Sequence, residues 1–138
     1  MADALTRHFA TSHWRAGIQT ELLPDDPARL HASVTAAAQS GAAILVTTGG
    51  TGIGPRDITP DVVRPMLDRE IPGIMEQIRV TCGTQHPAAL LSRSLAGMIG
   101  SMLVFCIPGS RRAATEYMTE IVKNLDHALR MIRGMDQH

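Results

Sequence analysis

The chain has 138 residues, 44% apolar and only 3% aromatic, which fits one domain with one core made of Leu, Ile, Val, Met and Ala. Thirteen basic residues balance thirteen acidic ones, so no overall field favours nucleic acid or an anionic membrane, and any anion site has to be local. The apolar run from Leu95 to Ile107 is too short to span a bilayer, and Cys82 and Cys106 fall in no metal spacing; two buried, reduced thiols in a cytoplasmic protein without a secretory signal are expected.

In chain order, Leu5 and Phe9 stand four apart in a helical pattern over residues 2–16, with Gly17 as its stop. Ile18, Thr20 and Leu22 alternate with their neighbours as a strand that Pro24 ends. Asp25 or Asp26 caps a second helix that has Pro27 in its first turn, Leu30, Val34 and Ala37 on one face, and Gly41 after its end. "AAILVTT" reads as a strand buried on both sides.

Thr59-Pro60-Asp61 then offers a hydroxyl cap, a proline and an acid for a third helix. "IPGIMEQIRV" and "AALLSRSLAG" are read as further helices, the latter closed by Gly97, and "SMLVFCIPG" as another strand. The three-four pattern from Ala114 through Tyr117, Met118, Ile121, Leu125 and Leu129 to Ile132 is the clearest helix. Strands joined by helices run parallel, so the expected fold is a three-layer α/β sandwich, a mostly parallel sheet with helices on both faces, forming a single domain over 1–138.

Ligands of such sheets bind at the carboxyl ends of the strands. Three loops are expected there: Pro24-Asp25-Asp26, the stretch "TTGGTGIGPRD" at 47–57, and Pro108-Gly109-Ser110. Clustered glycines let main-chain amides converge on an anion, and Thr47, Thr48 and Thr51 add hydroxyls. It is not a Walker loop, because Pro55 and Arg56 stand where Lys and Ser or Thr belong. Nor is it a dinucleotide fingerprint, because Pro55 interrupts the run into the next helix. Read from the residues alone, a plain strand-to-helix turn stays open, as do a capping role for Asp25 and an amide-accepting role for Asp57.

"LVTTGGTGIGPRDITPDV" resembles the signature of the molybdenum-cofactor biosynthesis fold, the molybdopterin-binding domain family, and is similar to the molybdopterin adenylyltransferases and their bacterial paralogues. "LLPDD" before it, then "DREIPGIMEQIR", "LSRSLAGMIG" and "LVFCIPGSRRAATEYM" after it, keep the family's order across residues 17–130. The resemblance implies a cytoplasmic homotrimer that binds molybdopterin and transfers AMP from Mg-ATP to its terminal phosphate. Pyrophosphate would leave, and the adenylylated pterin would pass to a molybdenum-insertion enzyme. A paralogue that only binds molybdopterin or only trimerises is the alternative.

Carried over by motif, Asp25 and Asp57 are the expected catalytic pair and magnesium ligands, directly or through water. Thr48, Gly49, Gly50, Thr51, Gly52 and Thr59, with Pro108, Gly109 and Ser110, are the expected substrate-binding residues. Arg56, Glu76 and Arg93 lie in matching segments without an assigned role. The family's opening strand and the loop after it have no counterpart ahead of the first helix, in which Met1 falls, so the neighbouring strands are expected to find other partners or to become exposed edges.

Overall fold

The computed structural model describes residues 1–135. Its sheet has four strands: β1 (Ile44–Thr48), β2 (Arg69–Glu70), β3 (Leu95–Ile99) and β4 (Met102–Ile107), in the order β1-β4-β3-β2. β1 and β4 are parallel, with Thr48 opposite Ile107, so both strands deliver their following loops to one edge. β3 and β4 form an antiparallel hairpin turned by Gly100 at φ 56°, and β2 is antiparallel to β3. The sheet is therefore mixed rather than mostly parallel.

Among the described residues, five α-helices pack around it: α1 (Ala2–Thr11), α2 (Pro27–Gln39), α3 (Thr59–Val63), α4 (Pro72–Gly83) and α5 (Arg111–Ile132). β4 is buried throughout, and its side chains alternate between two apolar clusters. Leu103, Phe105 and Ile107 meet Met75 and Ile78 of α4 and Tyr117, Met118, Ile121 and Leu125 of α5. Met102, Val104 and Cys106 meet Leu30 and Val34 of α2 and Val63 of α3. The expected three-layer sandwich follows from this alternation, with a half-core on each face rather than one undivided core. α1 is tied onto α5 by His8 Nε2 and Asp126 Oδ1, 3.0 Å apart, and the segments just after the two helices meet where Arg133 stacks 4.7 Å from the centre of the Trp14 ring.

Several sequence expectations are corrected. The first helix ends at Thr11, not near Gly17. Residues 17–23 form no strand despite their alternation; Leu22 is 97% exposed. A strand requires a hydrogen-bonding neighbour as well as alternation, and residues 17–23 pair with none of the described strands; the outer edge of β1, beside β4, carries no ladder. β1 is accordingly a half-buried edge strand, not one buried on both sides.

"AALLSRSLAG" is a short 3-10 turn at Pro87–Leu91 followed by β3, and Gly97 lies inside that strand rather than at a helix end. A Cβ there would stand 2.5 Å from the Arg69 carbonyl oxygen, which explains a glycine where β2 crosses. Thr59 does not cap α3; its hydroxyl donates to the Gly49 carbonyl at 3.0 Å. Pro65 stops α3 early, in a 3-10 turn at Arg64–Met66.

Candidate functional site

At the sheet edge shared by β1 and β4, the glycine loop and the loop into α5 are stitched together by their backbones. The Gly49 amide donates to the Ile107 carbonyl at 2.9 Å, and the Thr48 hydroxyl donates to the Pro108 carbonyl at 3.1 Å. Gly109 stands so near Gly49 that a Cβ on Gly109 would lie 3.0 Å from the Gly49 Cα. Gly50 has φ 65°, and a Cβ on it would meet the Thr59 hydroxyl at 2.5 Å, so both conformation and space exclude a side chain. The loop is then anchored to α3, because the Thr59 amide donates to the Gly50 carbonyl at 3.0 Å.

Beyond these anchors lies a cavity of about 480 Å³. The main chain from Gly49 to Ile53 and the Pro108–Ser110 loop form one side, and residues of α4, the Pro87–Leu91 turn and α5 form the other. Among the described residues, the N–H groups of Gly50, Thr51 and Gly52 donate to no protein acceptor, although Thr51 is 3% exposed. Enclosed amides are rarely left without an acceptor, and three in succession, one on a buried and two on half-buried residues beside a cavity, suit an anionic ligand.

Asp57 lines the same cavity. Its Oδ2 accepts from the Gly54 amide at 2.9 Å, the amide-accepting role left open above, while Oδ1 has no donor among the described residues. Ser110 caps α5 by accepting from the Ala113 amide at 3.3 Å.

The structure thus gathers Gly49, Gly50, Thr51, Gly52, Asp57, Pro108, Gly109 and Ser110 around one space. Thr48 and Thr59 act from behind, as braces of the loop. Asp25 is exposed in the turn before α2 and is not among the lining residues; Asp26 caps that helix, accepting from the Arg29 amide at 2.9 Å. No group of three His, Cys, Asp or Glu residues among the described ones is placed to hold a metal. Arg56 and Glu76 are exposed.

Three residues had no role in the site assigned from the sequence. Arg93 is the main brace of the loop. Its backbone amide donates to the Thr51 carbonyl at 2.7 Å, its Nε to the Gly52 carbonyl at 2.7 Å, its Nη2 to the Asp57 carbonyl, and its Nη1 pairs with Asp61 at 2.7 Å. Tyr117 is buried against the cavity and accepts from the Ser94 hydroxyl at 3.1 Å, which in turn accepts from Arg79 Nη1 at 3.0 Å. Glu116 lines the cavity from α5, near the Cys82 thiol, whose pKa is raised by burial and then by that neighbouring carboxylate. Position 93 carried a signal only as the Arg of "LSRS"; Glu116 carried none, since α5 is patterned by its apolar face.

A family described as "Probable molybdopterin binding domain" matches residues 2–127. The chain belongs to this family. Within it, the chain is 36% identical over 146 residues to the "Molybdenum cofactor biosynthesis bifunctional protein" of Chlorobaculum tepidum, covering 97% of this chain and 47% of that one. It thus spans about half the length of that curated relative.

Among solved structures, the molybdopterin biosynthesis enzyme MoaB of Thermus thermophilus superposes with a TM-score of 0.83 at 35% identity, covering 96% of this chain and 84% of that one. The tungsten cofactor synthesizing protein MoaB of Pyrococcus furiosus gives a TM-score of 0.75 at 34% identity, over 82% of this chain and 73% of that one. Both agree with the α/β sandwich described above. Among the described residues, no helix of this molybdopterin-binding-domain protein is long and apolar enough to cross a membrane.

Proposed function

We propose that the protein acts in molybdenum cofactor biosynthesis, holding molybdopterin in the cavity at Gly49–Gly52 and transferring AMP from Mg-ATP to its terminal phosphate. The observation that carries this reading is the row of unpaired amides at Gly50, Thr51 and Gly52 beside the open Oδ1 of Asp57. Joining one phosphate to another demands that their mutual repulsion be screened and their approach fixed in line. The terminal phosphate of the pterin attacks the α-phosphorus of ATP, the bond to the β-phosphate oxygen breaks, and pyrophosphate departs with the electron pair. Amides held by a braced loop supply donors that need no rearrangement as charge shifts.

Magnesium fits this site as a companion of the nucleotide. It takes one or two carboxylates and completes its shell with phosphate oxygens and water. Asp57 Oδ1 is the available ligand, and Asp25, outside the cavity lining, would act through water. The protein is expected to work as a homotrimer and to hand its product to a molybdenum-insertion enzyme; sedimentation of the purified protein tests the first point.

The position of Asp25 supports a second reading, a domain that binds molybdopterin without transferring AMP. Incubation with molybdopterin and Mg-ATP separates the two. Adenylylated molybdopterin together with pyrophosphate supports the transferase, pterin binding without either product supports the binding domain, and no pterin binding rejects both.

A further inference from the structure

We infer that Glu116 reads the ring of the ligand, its carboxylate receiving the adjacent N–H donors on the 2-amino-4-oxopyrimidine edge of a pterin. This deepens the proposed function and rests on its pterin site. The cavity lining carries two kinds of group. Unpaired amides at Gly50–Gly52 are the donors, and Glu116 supplies a carboxylate on the α5 wall.

The carboxylates lining the cavity are Asp57, already engaged by the Gly54 amide, and Glu116. Glu116 is only loosely paired: Arg112, which also lines the cavity, sits one turn away with its Nε at 3.7 Å on a side chain 62% exposed, and the nearby Cys82 thiol is a weak donor. The Glu116 side chain is 35% exposed and lines the cavity, so acceptor capacity remains.

Ile53 and Leu91 border the same space at 71% and 56% exposure, apolar surfaces suited to the faces of a flat ring. A ligand with a phosphate at one end and a flat, donor-edged ring at the other meets each of these features. A phosphate is favoured at the row of amides over the wall carrying Glu116, whose negative charge the exposed Arg112 offsets only across 3.7 Å. A carboxylate matches two parallel N–H donors on one edge, the same fork geometry that pairs it with a guanidinium. Guanine carries the same pair of donors, so the two rings need separate tests.

The probes are 6-hydroxymethylpterin, 6-hydroxymethyllumazine, which has a carbonyl in place of the 2-amino group, and guanosine. Binding is followed by quenching of ring fluorescence for the first two and by competition for the third. The wild-type protein is expected to bind the pterin about tenfold or more tightly than the lumazine. Glu116→Gln, which turns a donor toward the ring, is expected to abolish that preference while leaving ATP binding unchanged. Glu120→Gln is the control: Glu120 lies one turn further along α5, pairs with Lys123 at 2.6 Å and does not line this cavity, so the preference is retained.

A wild-type protein that binds both rings equally, or a Glu116→Gln protein that still prefers the pterin, overturns the role of Glu116 and leaves the pterin site standing. Guanosine outcompeting the pterin overturns the assignment of the ring. Failure of the wild-type protein to bind either fluorescent ring, with ATP bound normally, removes the pterin site itself and the inference with it.

Discussion

Arg93 holds Asp57 by its main chain, while the Asp57 carboxylate turns back to the Gly54 amide. The arginine fork spans the Gly52 and Asp57 carbonyls with two nitrogens and reaches Asp61 on α3 with the third. The loop that presents the amides is thus clamped by a residue from the start of the β3 segment, far away in sequence. A lysine cannot reproduce that fork, since its single ammonium has no planar array of donors.

Arg93→Lys is therefore expected to lower stability by about 1–3 kcal/mol, because buried carbonyls lose charged donors. The proposed adenylyl transfer should fall with it, since the amides lose their fixed direction. Asp61→Ala removes an ion pair made by a carboxylate that is itself 65% exposed and should cost well under ~1 kcal/mol. Urea titration of the two variants checks this contrast. Equal losses would mean that the ion pair, not the carbonyl clamp, holds the loop.

Gly50→Ala is expected to cost about 1–3 kcal/mol and to remove ligand binding. The residue sits at φ 65°, and the added methyl would lie 2.5 Å from the Thr59 hydroxyl that braces Gly49. Relieving the clash moves either the loop or α3, and in both cases the amides of 50–52 are displaced. Gly17→Ala is the companion variant: a Cβ there meets nothing within 4 Å, so it should leave stability and binding nearly unchanged. Calorimetric binding of Mg-ATP to both proteins is the check.

Asp57→Asn separates the two duties of that side chain. The amide oxygen of Asn can still accept from Gly54, so the loop and the melting temperature should be preserved. The negative charge is lost, and with it the proposed hold on magnesium and the alignment of the phosphates. Transfer is expected to fall by about 100-fold or more, comparable with the loss of a major electrostatic contact in other active sites. Product formation under single-turnover conditions measures it, and unchanged turnover would take Asp57 out of the chemistry.

How far the fold was legible depended on whether its cause was local. α5 could be read because three-four spacing over 22 residues has one physical meaning. β4 was legible as a continuous apolar run, and the glycine loop as a cluster of backbone freedoms beside a strand end. β3 was not: Leu95-Ala96 with Gly97 has no strong strand composition, and it becomes a strand because β4 folds back on it through Gly100. Residues 17–23 failed in the opposite way, having a strand's alternation but no partner. In the site, Asp57 and the glycines announced themselves, whereas Arg93 and Glu116 acquire meaning only from what the fold brings beside them.

The thiols provide a last prediction, on pH. Cys106 is buried on β4 beside Thr47 of β1, and burial pushes its pKa from 9.0 to about 11, with the Thr47 hydroxyl pulling weakly the other way. An acid whose folded pKa is raised keeps its proton longer in the native state than in the unfolded chain. Its contribution is fully present below pH 9 and is lost as pH rises toward about 11. A shift of that size corresponds to about 2–3 kcal/mol across the window. Urea midpoints of the wild-type protein should therefore fall more steeply over this range than those of Cys106→Ala, the two curves running parallel below it. Iodoacetamide at pH 8 should modify half-buried Cys82 slowly, since its pKa is also raised, and Cys106 only on unfolding. A Cys106 that labels as fast as Cys82 in the native protein would contradict the packing of β4 against α2 and α3.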